Sequence, residues 1–274
     1  MTILQGLILG AVQGIAEWLP VSSKGIVTLI LVNFFGLQFR EAFYLAVWLH
    51  AGTLLAAVFY FRRELWEMIK SLPAYIRDLR HPGATGQGRL ITFLIIGTAV
   101  TAAVGGPLIL FSLDNLELGG VVLTAVIGLF LIITGLVQRF ALKSAGFADK
   151  PLRILDAVWV GLAQALSAFP GFSRSGMSIS ALLFLRYSGG QALRLCFLLS
   201  MPIILVAEIG LGLLQGITLN EASVAGLLSA AVFGFLTIGA LMKVAVKLPF
   251  WIFCVALGLL SLAPWLAGLW VTLW

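Results

Sequence analysis

Six uninterrupted apolar windows dominate this chain and restrict what it can fold into. They run over residues 43–61, 90–111, 119–138, 195–215, 223–243 and 249–273. A helix needs about 20 apolar residues to cross the hydrocarbon core of a bilayer, and each window approaches or exceeds that length. Only 10% of the 274 residues are charged, whereas a soluble domain carries about 25%. We therefore predict an all-α, polytopic membrane protein with about six full transmembrane helices.

Two further apolar segments, residues 1–41 and 154–190, are interrupted near their middle by Pro20 and Pro170. Each half is too short to cross the bilayer comfortably, so we interpret both segments as re-entrant helical hairpins. The tip of such a hairpin is stable in a membrane only where it packs in protein or faces a wet cavity. The alternative is a pair of ordinary spans kinked at proline. No hydrophilic stretch is long enough for an extra domain, which favours one integral membrane domain over residues 1–274.

The two interrupted segments look like copies of each other. VQGIAEWLPVSSKGI runs from Val12 to Ile26, and AQALSAFPGFSRSGM runs from Ala163 to Met177. In each, a proline follows an apolar run and leads into a Ser-rich turn that carries a cation and ends in glycine. Polar residues in a broken membrane helix are costly, so such turns usually mark a site.

The basic residues predict an orientation. Loop 62–89 carries six Lys or Arg and loop 139–153 carries four; Arg186, Arg194, Lys243 and Lys247 fall on the same side, which places 14 of the 17 cations there. By the positive-inside rule this side is cytoplasmic, and both termini are then extracytoplasmic. This distribution explains the net charge of +6 better than nucleic-acid binding does. Met1–Ala16 lacks a basic n-region and a cleavage site, so we do not expect a removable signal peptide.

With this orientation the two hairpins enter the membrane from opposite sides. The arrangement is an inverted-topology repeat, with repeat one at about residues 1–138 and repeat two at about 152–274. We expect the two hairpin tips to meet near the midplane of the bilayer.

The first tip carries ionisable and hydroxyl groups at membrane depth. Gln13 and Glu17 are four residues apart and share a helix face. An ionised Glu17 is costly there without a partner, which favours a functional role. Ser22 and Ser23 are placed to cap the next helix. Lys24 puts a cation at that helix start, against the helix dipole, which suits the binding of an anion.

The second tip carries Ser173, Arg174, Ser175 and Gly176 ahead of an apolar run. Hydroxyls, a guanidinium and the free N–H groups of a helix N-terminus together predict a phosphate or pyrophosphate cradle. The alternative for Arg174 is a salt bridge to Glu17 that locks the hairpins together, and both roles are compatible. The glycines Gly25, Gly171 and Gly176 allow close approach of the backbone or serve helix packing.

Four residues inside the apolar windows remain to be placed. His50 is either a satisfied core histidine or a general acid or base. Glu208 is a second intramembrane carboxylate, for which a structural role and a site role stay open. Cys196 and Cys254 lie in apolar runs, which indicates buried thiols.

The two hairpin tips together predict a polar anion site enclosed by apolar spans. Such a site suits an amphiphile with a phosphate head and a hydrocarbon tail.

These motifs resemble the undecaprenyl pyrophosphate phosphatase family of the bacitracin-resistance type. The first turn matches at Gln13, Glu17, Pro20, Ser22, Ser23 and Gly25, and Pro170–Gly176 matches the family's PGFSRSG turn completely. Phe43–Leu65, with His50 and Gly52, is similar to a third conserved stretch of the family. The resemblance covers nearly the whole chain.

The resemblance implies an enzyme of the cell membrane that removes the terminal phosphate from a polyprenyl pyrophosphate. The active site is expected to open to the outer face and to use a divalent cation, Mg²⁺ or Ca²⁺. By position, Glu17 would bind metal or act as acid or base. Ser23 would be the nucleophile or a phosphate ligand, and Ser173 and Arg174 would hold the pyrophosphate. The lipid carrier and membrane lipids are the expected partners, and a homodimer is left open.

The chain departs from the family at Ile26, where the family normally has a histidine after the glycine of the first turn. Three outcomes stay open: Ser23 attacks phosphorus after activation by Glu17, a water oriented by Glu17 attacks, or hydrolysis is weak or absent. In the last case the protein would bind or transport a polyprenyl phosphate across the membrane. Such transport is compatible with two inverted hairpins that meet at the midplane.

Overall fold

The computed structural model describes residues 1–77, 86–116, 118–215 and 220–272. The long helices are α3 (Phe39–Tyr60), α5 (Gly86–Asn115), α6 (Gly120–Leu142), α9 (Gly189–Gln215), α10 (Glu221–Lys247) and α11 (Phe250–Thr272). The shorter helices are α1 (Ile3–Ala16), α2 (Ser23–Phe35), α4 (Arg62–Arg77), α7 (Ile154–Ala165) and α8 (Arg174–Phe184). A 3-10 turn, Leu166–Ala168, follows α7. The regular elements in these ranges are helical, as predicted.

The six long helices confirm the six predicted spans. In each of them a stretch of 19 to 30 residues is apolar and long enough to cross a bilayer. Every apolar window identified from the sequence falls largely within one of these helices. The protein is therefore an all-α, multi-pass membrane protein.

The interruptions at Pro20 and Pro170 separate short helices. α1 and α2 have 14 and 13 residues, and α7 and α8 have 12 and 11. At 1.5 Å per residue, none of the four alone reaches across the roughly 30 Å hydrocarbon core. In the turns between them, Ser22 and Gly171 adopt positive φ angles of 64° and 105°. The short helices are consistent with the interpretation of both segments as re-entrant hairpins, and their entry from opposite sides of the membrane stays a prediction.

The first helix of each half packs against a span of the other half. α1 lies along α10, and α7 lies along α5. Gly6, Gly10 and Gly14 repeat every four residues and form the contact face of α1, where a Cβ atom on Gly10 would lie 2.0 Å from the carbonyl oxygen of Gly226. Small residues let membrane helices approach this closely and gain dispersion contacts. This exchange holds each hairpin against the other half of the protein.

Helix α4 is a difference from the sequence interpretation, which treated residues 62–89 as a loop. The helix is amphipathic: Leu65 and Met68 pack on the core, while Trp66 and Ile69 are exposed. The tyrosine hydroxyl of Tyr75 lies 3.1 Å from the hydroxyl of Thr92 in α5. A search for continuous apolar windows misses such a helix, because its charged face lowers the mean hydropathy. His81, expected to be solvated and idle, lies outside the described residues.

A buried polar cluster ties the 143–153 loop to the second hairpin. Lys150 Nζ lies 2.9 Å from the carboxylate of Asp156 in α7, and it donates to the carbonyl of Leu185 at 2.7 Å. Tyr187, between α8 and α9, donates its hydroxyl to Asp156 at 2.8 Å. Burial raises the pKa of the Tyr187 phenol, and the bond to Asp156 raises it further. Asp156 is therefore the shared acceptor of a cation and a phenol.

The cluster predicts an effect on stability. We expect Asp156→Ala to lower the free energy of unfolding by about 3–5 kcal/mol, because it leaves a partly buried ammonium and a buried hydroxyl without their acceptor. Reversible unfolding in detergent micelles measures the change.

The matched control is Glu67→Ala in α4, where the partner Lys70 lies 3.6 Å away and both side chains are more than half exposed. Exposed pairs contribute about 0–1 kcal/mol. Equal stability losses in the two variants would show that the Asp156 cluster does not stabilise the fold.

Candidate active site

The two hairpin tips meet, as the inverted-repeat interpretation predicts. Arg174 Nη2, on the second tip, forms an ion pair with Glu17 Oε1 on the first. Ser175 Oγ donates to the carbonyl of Leu19 at 3.1 Å. Ser22 Oγ donates to the carbonyl of Phe172 at 3.4 Å. Side chains from each tip thus satisfy backbone groups of the other, which fixes their relative position.

Lys24 also makes hydrogen bonds from the first hairpin to the second. Its ammonium donates to the carbonyls of Ser167 and Ala168 at 2.5 and 3.0 Å, and it lies 4.5 Å from the ring centroid of Phe43. These carbonyls belong to the 3-10 turn at the C-terminal end of α7, the negative end of that helix dipole. The flexible side chain therefore reaches across to a favourable dipole rather than remaining beside the positive end of α2. Binding of substrate by the remaining N–H of Lys24 stays a prediction.

Serine residues cap both inner helices. Ser22 Oγ accepts from the backbone N–H of Gly25 at 3.3 Å, and Ser173 Oγ accepts from that of Gly176 at 3.1 Å. Because α2 and α8 start at the tips, the positive ends of two helix dipoles converge there. Ser23, in contrast to Ser22, is not used as a cap and keeps its hydroxyl for Glu17.

The glycines at the tips act through close packing. A Cβ atom on Gly25 would lie 2.9 Å from the backbone nitrogen of Gly171, and one on Gly171 would lie 2.6 Å from the carbonyl oxygen of Ile127. A Cβ atom on Gly176 would lie 2.6 Å from Gln138 Nε2, which donates to the carbonyl of Pro20. A larger residue at Gly25 would push the two tips apart, and one at Gly171 or Gly176 would push the second tip away from α6.

Glu17 is the centre of the polar network. It is 3% exposed, and its Oε2 atom accepts from Ser23 Oγ at 2.6 Å and from Gln13 Nε2 at 2.9 Å. His50 Nε2 lies 3.3 Å from the same oxygen. With Arg174 on Oε1, side chains from the four helices α1, α2, α3 and α8 meet at this one carboxylate. The predicted salt bridge is therefore present.

Two buried polar atoms of this network have no hydrogen-bond partner in the described part of the chain: Arg174 Nη1 and Gln13 Oε1. An unpaired buried polar group costs about 1–3 kcal/mol, and more when it is charged. Arg174 thus holds Glu17 with one nitrogen and keeps the other available for an anionic ligand. The locking role of Arg174 is therefore present, and its role in binding an anion stays a prediction.

A cavity of about 380 Å³ opens onto this network. Its polar end is lined by Glu17, Ser22, Ser23, Lys24, His50, Ser173, Arg174 and Ser175. The rest of its wall is largely apolar and comes from α3, α5 and α9; it includes Phe43, Val47, Ile109, Leu110, Ile203, Ile204 and Leu211. Gln13, Gly25, Gly171 and Gly176 support the polar end but do not line the cavity.

Sequence reasoning missed a second polar strip on the cavity wall. Gln164, which is fully buried, donates to Thr101 Oγ1 at 3.2 Å and accepts from Ser178 Oγ at 3.0 Å. Gln164 and Thr101 both line the cavity. The internal repeat could have identified Gln164, because Gln164 occupies the same position in the second copy as Gln13 in the first.

Ile26 and Glu208 are not among the residues that line this cavity. Ile26 packs instead against a small apolar cluster formed by Ala16, Val21 and Cys254. Glu208, whose role was left open, is half-buried on α9 and has one buried oxygen without a partner. Cys196 and Cys254 are buried free thiols, as predicted.

The site residues fit a divalent cation only if a bound ligand supplies further oxygen atoms. Within the described ranges, no group of three or more His, Cys, Asp or Glu is placed to enclose a metal ion. Glu17 is the carboxylate that lines the polar end of the cavity. Mg²⁺ is usually held by one or two carboxylates together with substrate phosphates. The donor set therefore fits a cation that is shared with a bound diphosphate, not one held by the protein alone.

Comparisons with known proteins identify relatives of this chain. A family model described as bacitracin resistance protein BacA matches residues 6–262. A protein of Methanococcoides burtonii named undecaprenyl-diphosphatase is 44% identical over 95% of this chain and 97% of its own length. Proteins of the same name from Haloarcula marismortui and Elusimicrobium minutum are 40% and 36% identical; the matches cover 93% and 95% of this chain and 94% and 97% of theirs.

The family match spans both hairpin turns, five of the membrane helices and the first half of α11, and the relatives align over nearly their full length. The chain belongs to the BacA family of bacitracin resistance proteins.

Proposed function

We propose that this protein hydrolyses the terminal phosphoanhydride bond of a polyprenyl diphosphate of the undecaprenyl type. The products are the lipid monophosphate and inorganic phosphate. Two features support this activity: the relatives are named undecaprenyl-diphosphatase, and the cavity joins an anion site to an apolar wall. A diphosphate carries the negative charge that the cationic end of the cavity attracts.

The shape of the cavity separates the two parts of such a lipid. The headgroup occupies the end at Arg174, Ser23 and Ser173, and the first isoprene units lie against the apolar wall. A volume of about 380 Å³ suits a headgroup with the start of the tail. The remainder of a long prenyl chain then extends into the bilayer, where it loses no hydrophobic stabilisation.

The observation that carries the proposal is that the two terminal nitrogens of the Arg174 guanidinium have different surroundings. One nitrogen is fixed by Glu17, and Nη1 is buried without a partner. A fixed donor of this kind is preorganised for the equatorial oxygens of a transferring phosphoryl group. Catalysis of phosphoryl transfer rests mainly on such positioning and charge stabilisation.

The same geometry favours Ser23 as the nucleophile. Its hydroxyl donates to Glu17 at 2.6 Å, and both residues line the cavity. Glu17 is placed to accept the Ser23 proton as Oγ attacks the terminal phosphorus. Arg174 and the N-termini of α2 and α8 stabilise the charge on the phosphoryl oxygens. A water oriented by Glu17 is the alternative attacking group.

The proposal includes a divalent cation, Mg²⁺ or Ca²⁺, as the family resemblance implies. Glu17, which lines the cavity, would hold it together with the diphosphate oxygens. When bound, the ion would neutralise part of the diphosphate charge.

We also propose that the protein lies in the cell membrane with both termini outside and the cavity open to the outer face. The cavity-lining residues of α3 lie in its first half and at its middle, whereas those of α5 and α9 lie in their second halves. Under the positive-inside orientation all three segments are in the outer half of the bilayer. The substrate would then be a lipid of the outer leaflet. Homodimer formation stays a prediction.

Hydrolysis is favoured over the lipid-transport alternative, because the curated relatives carry the name of a diphosphatase. The intact Glu17–Ser23–Arg174 network also argues against a site that has lost its chemistry.

Arg174 provides the first test. We expect Arg174→Ala to lower kcat/KM for a polyprenyl diphosphate by at least about 100-fold, which is the usual loss when one preorganised donor to the transition state is removed. Phosphate release from detergent-solubilised protein measures the rate. Arg174→Lys should recover only part of the loss, since an ammonium cannot bind Glu17 and a phosphoryl oxygen in a fixed fork.

The control is Arg139→Ala, which removes an arginine that stacks on Trp251 at 4.8 Å and does not line the cavity. This variant should keep wild-type kinetics. A wild-type protein without activity, or an Arg174→Ala protein with wild-type activity, would contradict the proposed function.

The paired serines of the first tip provide the second test. Ser23→Ala should reduce kcat by about 10³-fold or more, because it removes the nucleophile. Ser22→Ala should mainly lower the free energy of unfolding, by about 1 kcal/mol, because Ser22 caps α2. Kinetics and detergent unfolding of both variants separate these effects. Full activity in Ser23→Ala would assign the attack to a water.

A further inference from the structure

We propose that Thr134 and Gln138 of α6 are positioning residues for the reaction, because they hold the two hairpin tips in a fixed relation to each other. The proposal rests on the phosphatase function above. Neither residue belongs to a hairpin motif, and neither is among the residues that line the cavity. Each acts through the backbone of a hairpin tip, to which its side chain hydrogen-bonds.

Thr134 holds the second tip with its hydroxyl as both donor and acceptor. Oγ1 donates to the carbonyl of Gly171 at 3.2 Å and accepts from the backbone N–H of Ser173 at 3.3 Å. Gly171 lies in the turn with a φ angle of 105°, and Ser173 is the N-cap of α8. Backbone groups at such places have no partner in the helix, and an unpaired one is costly at membrane depth. The hydroxyl thus fixes the turn from which Arg174 begins α8.

Gln138 holds the first tip from one helical turn further along α6. Its Nε2 atom donates to the carbonyl of Pro20 at 2.6 Å, and the side chain is buried. A Cβ atom on Gly176 would lie 2.6 Å from the same nitrogen, so Gln138 lies between the first tip and the second. The contact therefore fixes the turn from which Ser23 reaches Glu17.

The two contacts come from one face of one helix. Thr134 and Gln138 are four residues apart, so they are neighbours on the surface of α6, about 6 Å apart along its axis. Phe130, one turn earlier, stacks on Phe172 of the second tip with ring centroids 4.7 Å apart. α6 has 23 residues without a proline and packs closely on α11. An uninterrupted helix thus holds both tips at one spacing, in addition to the direct contacts between the tips.

The spacing matters because the reacting groups come from different tips. Ser23 extends from the first tip and Arg174 from the second, and a phosphoryl group between them has to reach both. A displacement of about 1 Å, caused by a change away from the chemistry, can cost about 100-fold in rate. Within the described ranges, α6 contributes no residue to the cavity wall. Loss of its hold on the tips should therefore lower kcat and leave KM little changed.

The test is Thr134→Val, which keeps the branched shape of the side chain and removes its hydroxyl. We expect kcat for a polyprenyl diphosphate to fall by about 10- to 100-fold, with little change in KM. Thr134→Ser keeps the hydroxyl and should have a kcat close to that of the wild type. Phosphate release from detergent-solubilised protein at several substrate concentrations measures both parameters.

The matched control is Thr124→Val in the same helix. Thr124 Oγ1 donates to Asn33 in α2 at 3.2 Å, so this variant also removes a hydroxyl that joins α6 to the first hairpin. The contact lies near the C-terminal end of α2, away from the tip. Thr124→Val should keep wild-type kcat. An equal loss of kcat in Thr124→Val and Thr134→Val would show a general effect of α6 packing and would overturn the proposal.

Gln138→Met gives an independent result. Methionine has a similar length but cannot donate to the carbonyl of Pro20. Cys254 Sγ lies 3.3 Å from that carbonyl and remains as its donor, so we expect the variant to fold. Its kcat should fall by about 10-fold or more, again with little change in KM. This result decides the question even where Thr134→Val does not fold.

Wild-type kcat in folded Thr134→Val or in Gln138→Met would overturn the proposal and leave the phosphatase function standing. A higher KM with unchanged kcat would also overturn it, because that result would assign the residues to substrate binding. An inactive wild type would contradict the proposed function itself, so the two failures are distinguishable.

Discussion

The ion pair between Glu17 and Arg174 is the interaction on which the site depends. It joins two hairpins that are 157 residues apart in sequence, and both partners are largely buried. Removing one partner of such a pair costs about 3–5 kcal/mol, because the other charge is left uncompensated. The pair also fixes the carboxylate that receives Ser23, Gln13 and His50. The same contact therefore stabilises the hairpin junction and aligns the reacting groups.

In both copies of the repeat, a side chain of the hairpin tip hydrogen-bonds to the opposite hairpin and so supports this contact. Lys24 and Ser175 occupy corresponding positions in the two copies, and each donates to a carbonyl of the opposite hairpin. Packing of α1 on α10 and of α7 on α5 holds each hairpin against the other half of the protein. Because backbone groups at the tips are satisfied by side chains, the broken helices are stable at membrane depth. Function and fold thus share the same few polar contacts.

Much of this architecture could be predicted from the sequence, because the bilayer imposes a length on each span and proline interrupts a helix. Both hairpins, the six spans and the meeting of Glu17 with Arg174 follow from such rules. The directions of individual side chains do not follow from these rules. The reach of Lys24 to Ser167, the orientation of Ile26 away from the cavity and the approach of His50 to Glu17 depend on helix rotation and rotamers. Helix α4 was missed because amphipathic helices lack a continuous apolar run.

An experimental structure with a methylene-bridged polyprenyl diphosphonate, which resists hydrolysis, would show whether both hairpins bind the headgroup. We expect the terminal phosphoryl group between the two hairpin tips, within hydrogen-bonding distance of Arg174 Nη1 and Ser23 Oγ. The prenyl chain should leave along the apolar wall of α3, α5 and α9. A diphosphonate bound elsewhere, or held by one hairpin without contact to the other, would show that the two tips do not form one headgroup site.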